Sequence, residues 1–143
     1  MIKINTRDFG ETEINENTII SMPNGIIGFE DTKRYTLLSP LGEDKFPMWF
    51  QSVDGTEPCF LVYDPMEIDP DYRFEINDEE QALLKIDEET PYRVLCVAIV
   101  PDDYRKTTIN LRCPIIINTR DSIAAQVILQ ENYDFKCPIY EEA

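Results

Sequence analysis

The side chains available for chemistry in this chain are carboxylates and thiols. It carries 28 Asp and Glu, four Cys and no His. Without His there is no Ser-His-Asp or Cys-His relay and no imidazole metal ligand. The side chain that ordinarily titrates near neutral pH is missing too. Cys59, Cys96, Cys113 and Cys137 lie far apart, and no two form a C-x-x-C pair. Neither a zinc ribbon nor a thioredoxin-type redox site is indicated. Cys96 sits inside the apolar run at residues 94–100, where a thiol reads as a small buried hydrophobe. An even count permits two disulfides, but nothing points to an oxidising compartment, so free thiols are expected.

The carboxylates concentrate between residues 64 and 89. Eleven acids stand there against Arg73 and Lys85, a net charge of −9 in 26 residues. A calcium loop of the EF-hand type needs oxygen ligands at its first, third and fifth positions, Gly at the sixth and Glu at the twelfth. Started at Asp64, the frame puts Met66 and Ile68 at ligand positions; started at Asp69, it puts Arg73 and Phe74 at the fifth and sixth. Both frames fail. A pair of acids could serve a glycosidase, yet nothing marks one pair as buried, and Trp49 is the only Trp for a sugar platform. The chain has no G-x-x-x-x-G-K-[ST] and no G-x-G-x-x-G, so nucleotide motifs are absent. No catalytic residue, cofactor or metal is expected.

Two readings of the acidic stretch remain. It can be a solvated face. It can also be a docking face, because Met66, Ile68, Tyr72, Phe74 and Ile76 interleave with the acids. Apolar anchors inside a polar rim are the anatomy of a protein interface. The candidate contact residues are Asp69, Asp71, Tyr72, Glu75, Asp78 and Glu79. In an extended backbone Asp71, Arg73 and Glu75 share one face, and Tyr72, Phe74 and Ile76 the other.

Several short elements must position these residues. With 143 residues, one domain spanning residues 1–143 is expected. Strand-like segments occur at 2–4, 18–21, 35–38, 48–53, 59–63, 107–111, 115–118 and 125–129, bounded by Pro, Gly or Asp. The run at 94–100 is apolar on both faces and suits a central buried strand. Met22-Pro23-Asn24-Gly25 has the chemistry of a tight turn. Asn77 with Glu80 three residues on predicts a capped helix start, and Glu89-Thr90-Pro91 its end, within three turns. The pattern predicts a mainly β fold, an antiparallel β roll or barrel with one or two short helices. The N-terminus lacks a signal peptide pattern and no apolar run approaches the roughly 20 residues of a membrane span. The net charge of −15 repels phosphate, so no direct contact with nucleic acid or an anionic membrane is expected.

The segment Met22-Pro23-Asn24-Gly25-Ile26-Ile27-Gly28-Phe29-Glu30 resembles the P-x-G-[IL]-x-G-F-E signature of the FliW flagellar assembly factors. Tyr35, the stretch from Phe46 to Gln51-Ser52, and Phe60-Leu61-Val62 before Asp64-Pro65 follow in that family's order. The stretch Thr107-Thr108-Ile109-Asn110-Leu111-Arg112-Cys113-Pro114-Ile115-Ile116-Ile117-Asn118 is similar to its T-x-N-L-x-A-P-[IL]-x-[IV]-N block, with Cys113 in place of the usual Ala. Gln126 to Leu129 and Tyr133 close the match. The signature residues themselves read as fold determinants. Gly25 and Gly28 flank a tight backbone path where a Cβ would intrude, Pro23 presets φ in the turn before it, and Phe29 anchors that turn in the core. Pro114 suits a strand edge, Asn110 and Asn118 can bond loop backbone, and Leu111 lies between them.

The resemblance implies a cytoplasmic, non-enzymatic, protein-binding regulator, monomeric when free. Members bind the RNA-binding translational repressor CsrA, relieve its block on flagellin translation, and also bind flagellin. The charge agrees, since a surface that binds RNA must be basic and attracts an acidic partner. The alternatives are a generic acidic adaptor or chaperone for another basic or secreted protein, and a carboxylate-based hydrolase.

Overall fold

The computed structural model describes residues 1–140. Seven strands close into a barrel: β3 (Ile19–Ser21), β4 (Arg34–Leu38), β5 (Met48–Ser52), β6 (Cys59–Tyr63), β7 (Tyr92–Ile99), β9 (Ile115–Asn118) and β10 (Ile123–Gln126). Around the ring the order is β7-β6-β5-β4-β3-β10-β9, and β9 returns to β7 through Tyr92↔Asn118 to Leu95↔Ile115. Every neighbouring pair is antiparallel except β10 and β3, which meet in parallel at Ile123↔Ser21. A ring with an odd number of strands cannot alternate direction all the way round, so one parallel contact is unavoidable. The contact is correspondingly short, one bridge reinforced by the Ser21 N–H donating to Ser122 O at 2.9 Å. The expected antiparallel barrel is thus present with one parallel seam.

Two cores result. Inside the barrel pack Met22, Tyr35, Met48, Phe50, Val62, Leu95, Ile115 and Ile117, with Tyr35 and Phe50 stacked at 4.6 Å. On the outer wall pack Cys96, Ile109, Ile116, Ala125 and Leu84 with Tyr72, Leu111, Val127 and Leu129. β7 and β9 stand between the two, so alternate residues face different cores and both faces are apolar. The apolar run has this cause at residues 94–98, whereas Ile99 and Val100, also expected in a buried strand, are exposed.

The outer core is roofed by α1 (Pro65–Ile68), an extended strap at 69–77, and α2 (Asp78–Leu84). Asn77 and Glu80 form the reciprocal capping box expected from their spacing. The helix stops at Leu84, earlier than Glu89-Thr90-Pro91, because Lys85 adopts a left-handed conformation and its N–H returns to Ala82 O and Gln81 O. Beyond the barrel, β8 (Thr108–Ile109) and β11 (Cys137–Pro138) extend the far end of β7. β1 (Ile2–Thr6) and β2 (Gly10–Ile14) form a separate hairpin. It is tied to the barrel by Arg7, which donates to Gln51 Oε1 and to Cys59 O, and by Trp49 Nε1 donating to Asp8. The sequence of β2, Gly-Glu-Thr-Glu-Ile, is too polar to have signalled a strand.

Candidate functional site

The strap that crosses the outer core carries the acids. Asp64 caps α1 by accepting from Met66 N at 2.9 Å, and Pro65 opens the helix. Asp69 accepts from Asp71 N at 3.0 Å and turns the chain into the strap. Tyr133 then holds the strap: its hydroxyl accepts from Arg73 N and donates to Arg73 O, each at 2.9 Å. Glu131 accepts from Glu75 N at 2.9 Å. At the far end Thr90 donates to Asp87 at 2.8 Å, which with the Glu89 N–H holds the Asp87 carboxyl below the usual range.

The strap has the expected two faces, although it pairs with no strand. Asp71, Arg73 and Glu75 are exposed, while Phe74 and Ile76 are half-buried. Tyr72 is corrected by the structure. It is only 6% exposed and donates its hydroxyl to Leu111 O at 2.7 Å. Its ring packs on Tyr133 at 4.6 Å, and burial raises its phenol pKa. Tyr72 therefore offers no contact area to a partner. Asp78 and Glu79 are exposed in the first turn of α2, where the helix dipole favours them, and Asp69 is half-buried.

Grooves flank the strap. One of about 510 Å³ runs between Glu75, Ile76, Asn77 and Glu80 on one side and Ile128, Gln130 and Glu131 on the other. Its three carboxylates surround two apolar side chains, one of them Ile128 at 62% exposure. Such a groove takes a long basic side chain, its aliphatic stem on the isoleucines and its charge among the acids. Glu131 and Ile128 lie more than 50 residues from the strap, and no local signal in the sequence joins them to it. Among the described residues no three Cys, Asp or Glu converge to hold a metal ion.

The signature residues sit apart from this face, in turns. Two successive turns, Gly25 N–H to Met22 O and Phe29 N–H to Ile26 O, shape residues 22–29. Lys33 Nζ donates to Pro23 O at 3.0 Å. A Cβ on Gly25 would meet Glu30 Cα at 2.7 Å, whereas one on Gly28 would meet nothing within 4 Å. Gly28 is needed for its φ of +90° alone, so the expected intrusion holds only at Gly25. Phe29 is 46% exposed and packs edge-on against Phe60 at 5.2 Å; Met22 and Ile26 anchor the turn in its place. The turn puts its two buried side chains before Gly28 and swings Phe29 outward. Pro114 is buried just before β9 and its carbonyl accepts from Val127 N. Asn110 Oδ1 accepts from Arg112 N and Cys113 N, both at 3.0 Å, and Leu111 is buried beside it. Asn118 accepts from Arg120 N and Asp121 N and donates to Leu84 O at 2.9 Å, tying β9 to the end of α2.

The comparisons with known proteins agree with this architecture. The family described as FliW protein matches residues 3–139. The flagellar assembly factor FliW of Thermoanaerobacter pseudethanolicus is 37% identical over 142 residues, covering 99% of this chain and 95% of that protein. That of Ruminiclostridium cellulolyticum is 37% identical over 140 residues, covering 97% and 95%. A crystal structure of the flagellar assembly factor FliW superimposes with a TM-score of 0.89 at 32% identity, covering 98% of each chain. With the signature turns, the two-core barrel and near-complete coverage in agreement, this chain belongs to the FliW family of flagellar assembly factors.

Proposed function

We propose that the protein is a cytoplasmic, non-enzymatic regulator of flagellar assembly that acts as one FliW-like domain, monomeric when free. It binds the translational repressor CsrA, relieves repression of flagellin translation, and binds flagellin itself. Family membership over nearly the whole chain carries this reading. The acidic roof of the outer core supports it further. Residues 64–89 hold a net −9 charge on a face backed by the outer hydrophobic core. A basic protein is drawn to such a face, and RNA is repelled.

With Tyr72 in the core, the contact falls to Asp69, Asp71, Glu75, Asp78 and Glu79. Exposed pairs are worth about 0–1 kcal/mol each, so single charge reversals weaken binding only slightly. The test is calorimetry of the Asp71→Lys, Glu75→Lys, Glu79→Lys triple variant with CsrA. Asp69 is left in place because its carboxylate holds the turn at Asp71. A folded triple variant should lose most of its CsrA affinity, and the wild-type association rate should fall steeply with salt. Wild-type affinity in the variant would remove this face from the complex. Failure of CsrA and flagellin both to bind the wild-type protein would overturn the reading itself.

A further inference from the structure

The barrel wall has a gap on the β6 side of β7. Two pairs, Val62↔Val97 and Tyr63↔Cys96, join the strands before β6 ends. Beyond Tyr63 the chain leaves the wall, with Asp64 capping α1 and Pro65 in its first turn. Continuing the register would set Pro65 opposite Val94. Proline has no N–H to give, and the Pro65 carbonyl already accepts from Asp69 N at 2.9 Å.

The direction of each β7 backbone group follows from its other side. Val97 O accepts from Asn110 N and Pro91 O accepts from Thr119 N, both toward β8 and β9. Odd-numbered residues of β7 therefore point to β9 or β8, and Tyr92 and Val94 point to the gap. Among the described residues nothing on that side accepts from or donates to these two residues. A cleft of about 470 Å³ lies against them, its lining including Asp64, Met66, Arg73, Phe74 and Arg93. Barrels remove exposed edges by closing; here closure lapses over one stretch and leaves Tyr92 and Val94 without a ladder partner on the β6 side.

We propose that this edge takes an extended segment of a partner protein, added as a short strand beside β7 at Tyr92–Val94. Side chains directly opposite each other across a sheet share a face. The positions opposite Tyr92 and Val94 lie over the outer face with Phe74 and the exposed Met66, and call for apolar residues. The position opposite Arg93 shares the face of its guanidinium, which rests over the Phe46 ring at 5.7 Å, donates to Met48 Sδ at 3.5 Å and has the exposed Asp44, at 3.7 Å, as its carboxylate neighbour. That position calls for a carboxylate. The segment recognised is thus apolar–acidic–apolar and extended, unlike the basic surface drawn to the strap. The proposal does not depend on the identity of the partners above.

The probe is an acetylated, amidated heptapeptide with a valine–glutamate–valine centre between threonine pairs. Amide exchange followed by NMR should show Tyr92 and Val94 exchanging freely in the isolated protein, and Arg93 and Leu95 protected by β9. Peptide at about 1 mM should protect the first two amides and leave the others unchanged. N-methylation of the two valines should abolish the effect. A lysine centre should bind about fivefold or more weakly, and Arg93→Glu should reverse that preference. Tyr92 and Val94 amides already protected in the free protein would overturn the proposal. So would absence of protection by the peptide, or binding indifferent to N-methylation. A preference for lysine by the wild-type protein would overturn the acidic assignment without any variant being needed.

Discussion

At the scale of single residues, the side chain that decides a position is often not the one that stands out in the sequence. Gly25 and Gly28 occupy equivalent places in the signature and both have positive φ, but only Gly25 is hemmed in by backbone, that of Phe29 and Glu30. Gly28→Ala should cost about 1 kcal/mol, the strain of a left-handed backbone. Gly25→Ala adds a clash that only main-chain movement can relieve, and should cost roughly 3 kcal/mol or more. Urea unfolding of the two variants measures the difference, and equal costs would contradict the account of the turn. Phe29 and Tyr72 are the matching cases among aromatics. The sequence offers both as large rings beside turn or acidic residues, and which one is buried depends on what lies opposite. Tyr72 finds the Leu111 carbonyl across the outer core, and Phe29 finds only the edge of Phe60.

At the scale of elements, the strands and the helix start were legible where a local pattern records their surroundings. The two-faced run of β7, the tight turn after β3 and the capping box of α2 were of this kind. The segment expected at 125–129 starts two residues inside β10 and runs three past its end, because Val127 N donating to Pro114 O and Leu129 N to Arg112 O carry the β9–β10 register on beyond the regular strand. Asn118 shows how elements are locked together. Buried completely in β9, it bonds the carbonyl at the end of α2 and both amides of the following turn. Asn118→Leu leaves those groups without partners and should cost about 2–4 kcal/mol. Asn77→Ala removes an exposed cap and should cost about 1 kcal/mol. Denaturant midpoints at constant m-value rank the two, and the reverse order would mean that Asn118 is not the tie between β9 and α2.

At the scale of the whole molecule, charge sets the response to pH. With no His, no side chain carries an ordinary pKa between the carboxylates and the thiols. Burial pushes the Cys59 and Cys96 thiols up to about 11 and about 12, further from neutrality. Stability should therefore be nearly flat from about pH 6 to 8. Arg7 and Trp49 hold Asp8 below its usual range, Arg34 holds Asp54, and Arg120 holds Asp121. A carboxylate depressed in the folded state stabilises above its unfolded pKa of about 3.9, and that contribution is lost as pH falls through the folded value. Thermal midpoints measured across pH should hold to about 5 and drop below about 4. A step near pH 6.5 would contradict this assignment.

By itself the sequence carried the family resemblance in its signature blocks, and the β-rich class, the capped helix and the acidic stretch in its local chemistry: turn residues, alternation, caps and charge are written in neighbouring positions. Only the tertiary structure decided which aromatic of the strap is buried, that Glu131 and Ile128 face Glu75 across a groove, and that the seam between β10 and β3 is parallel. It also decided that β7 keeps an open edge where Pro65 diverts its neighbour. Each of these depends on what stands opposite a residue, and in a barrel that partner comes from far along the chain.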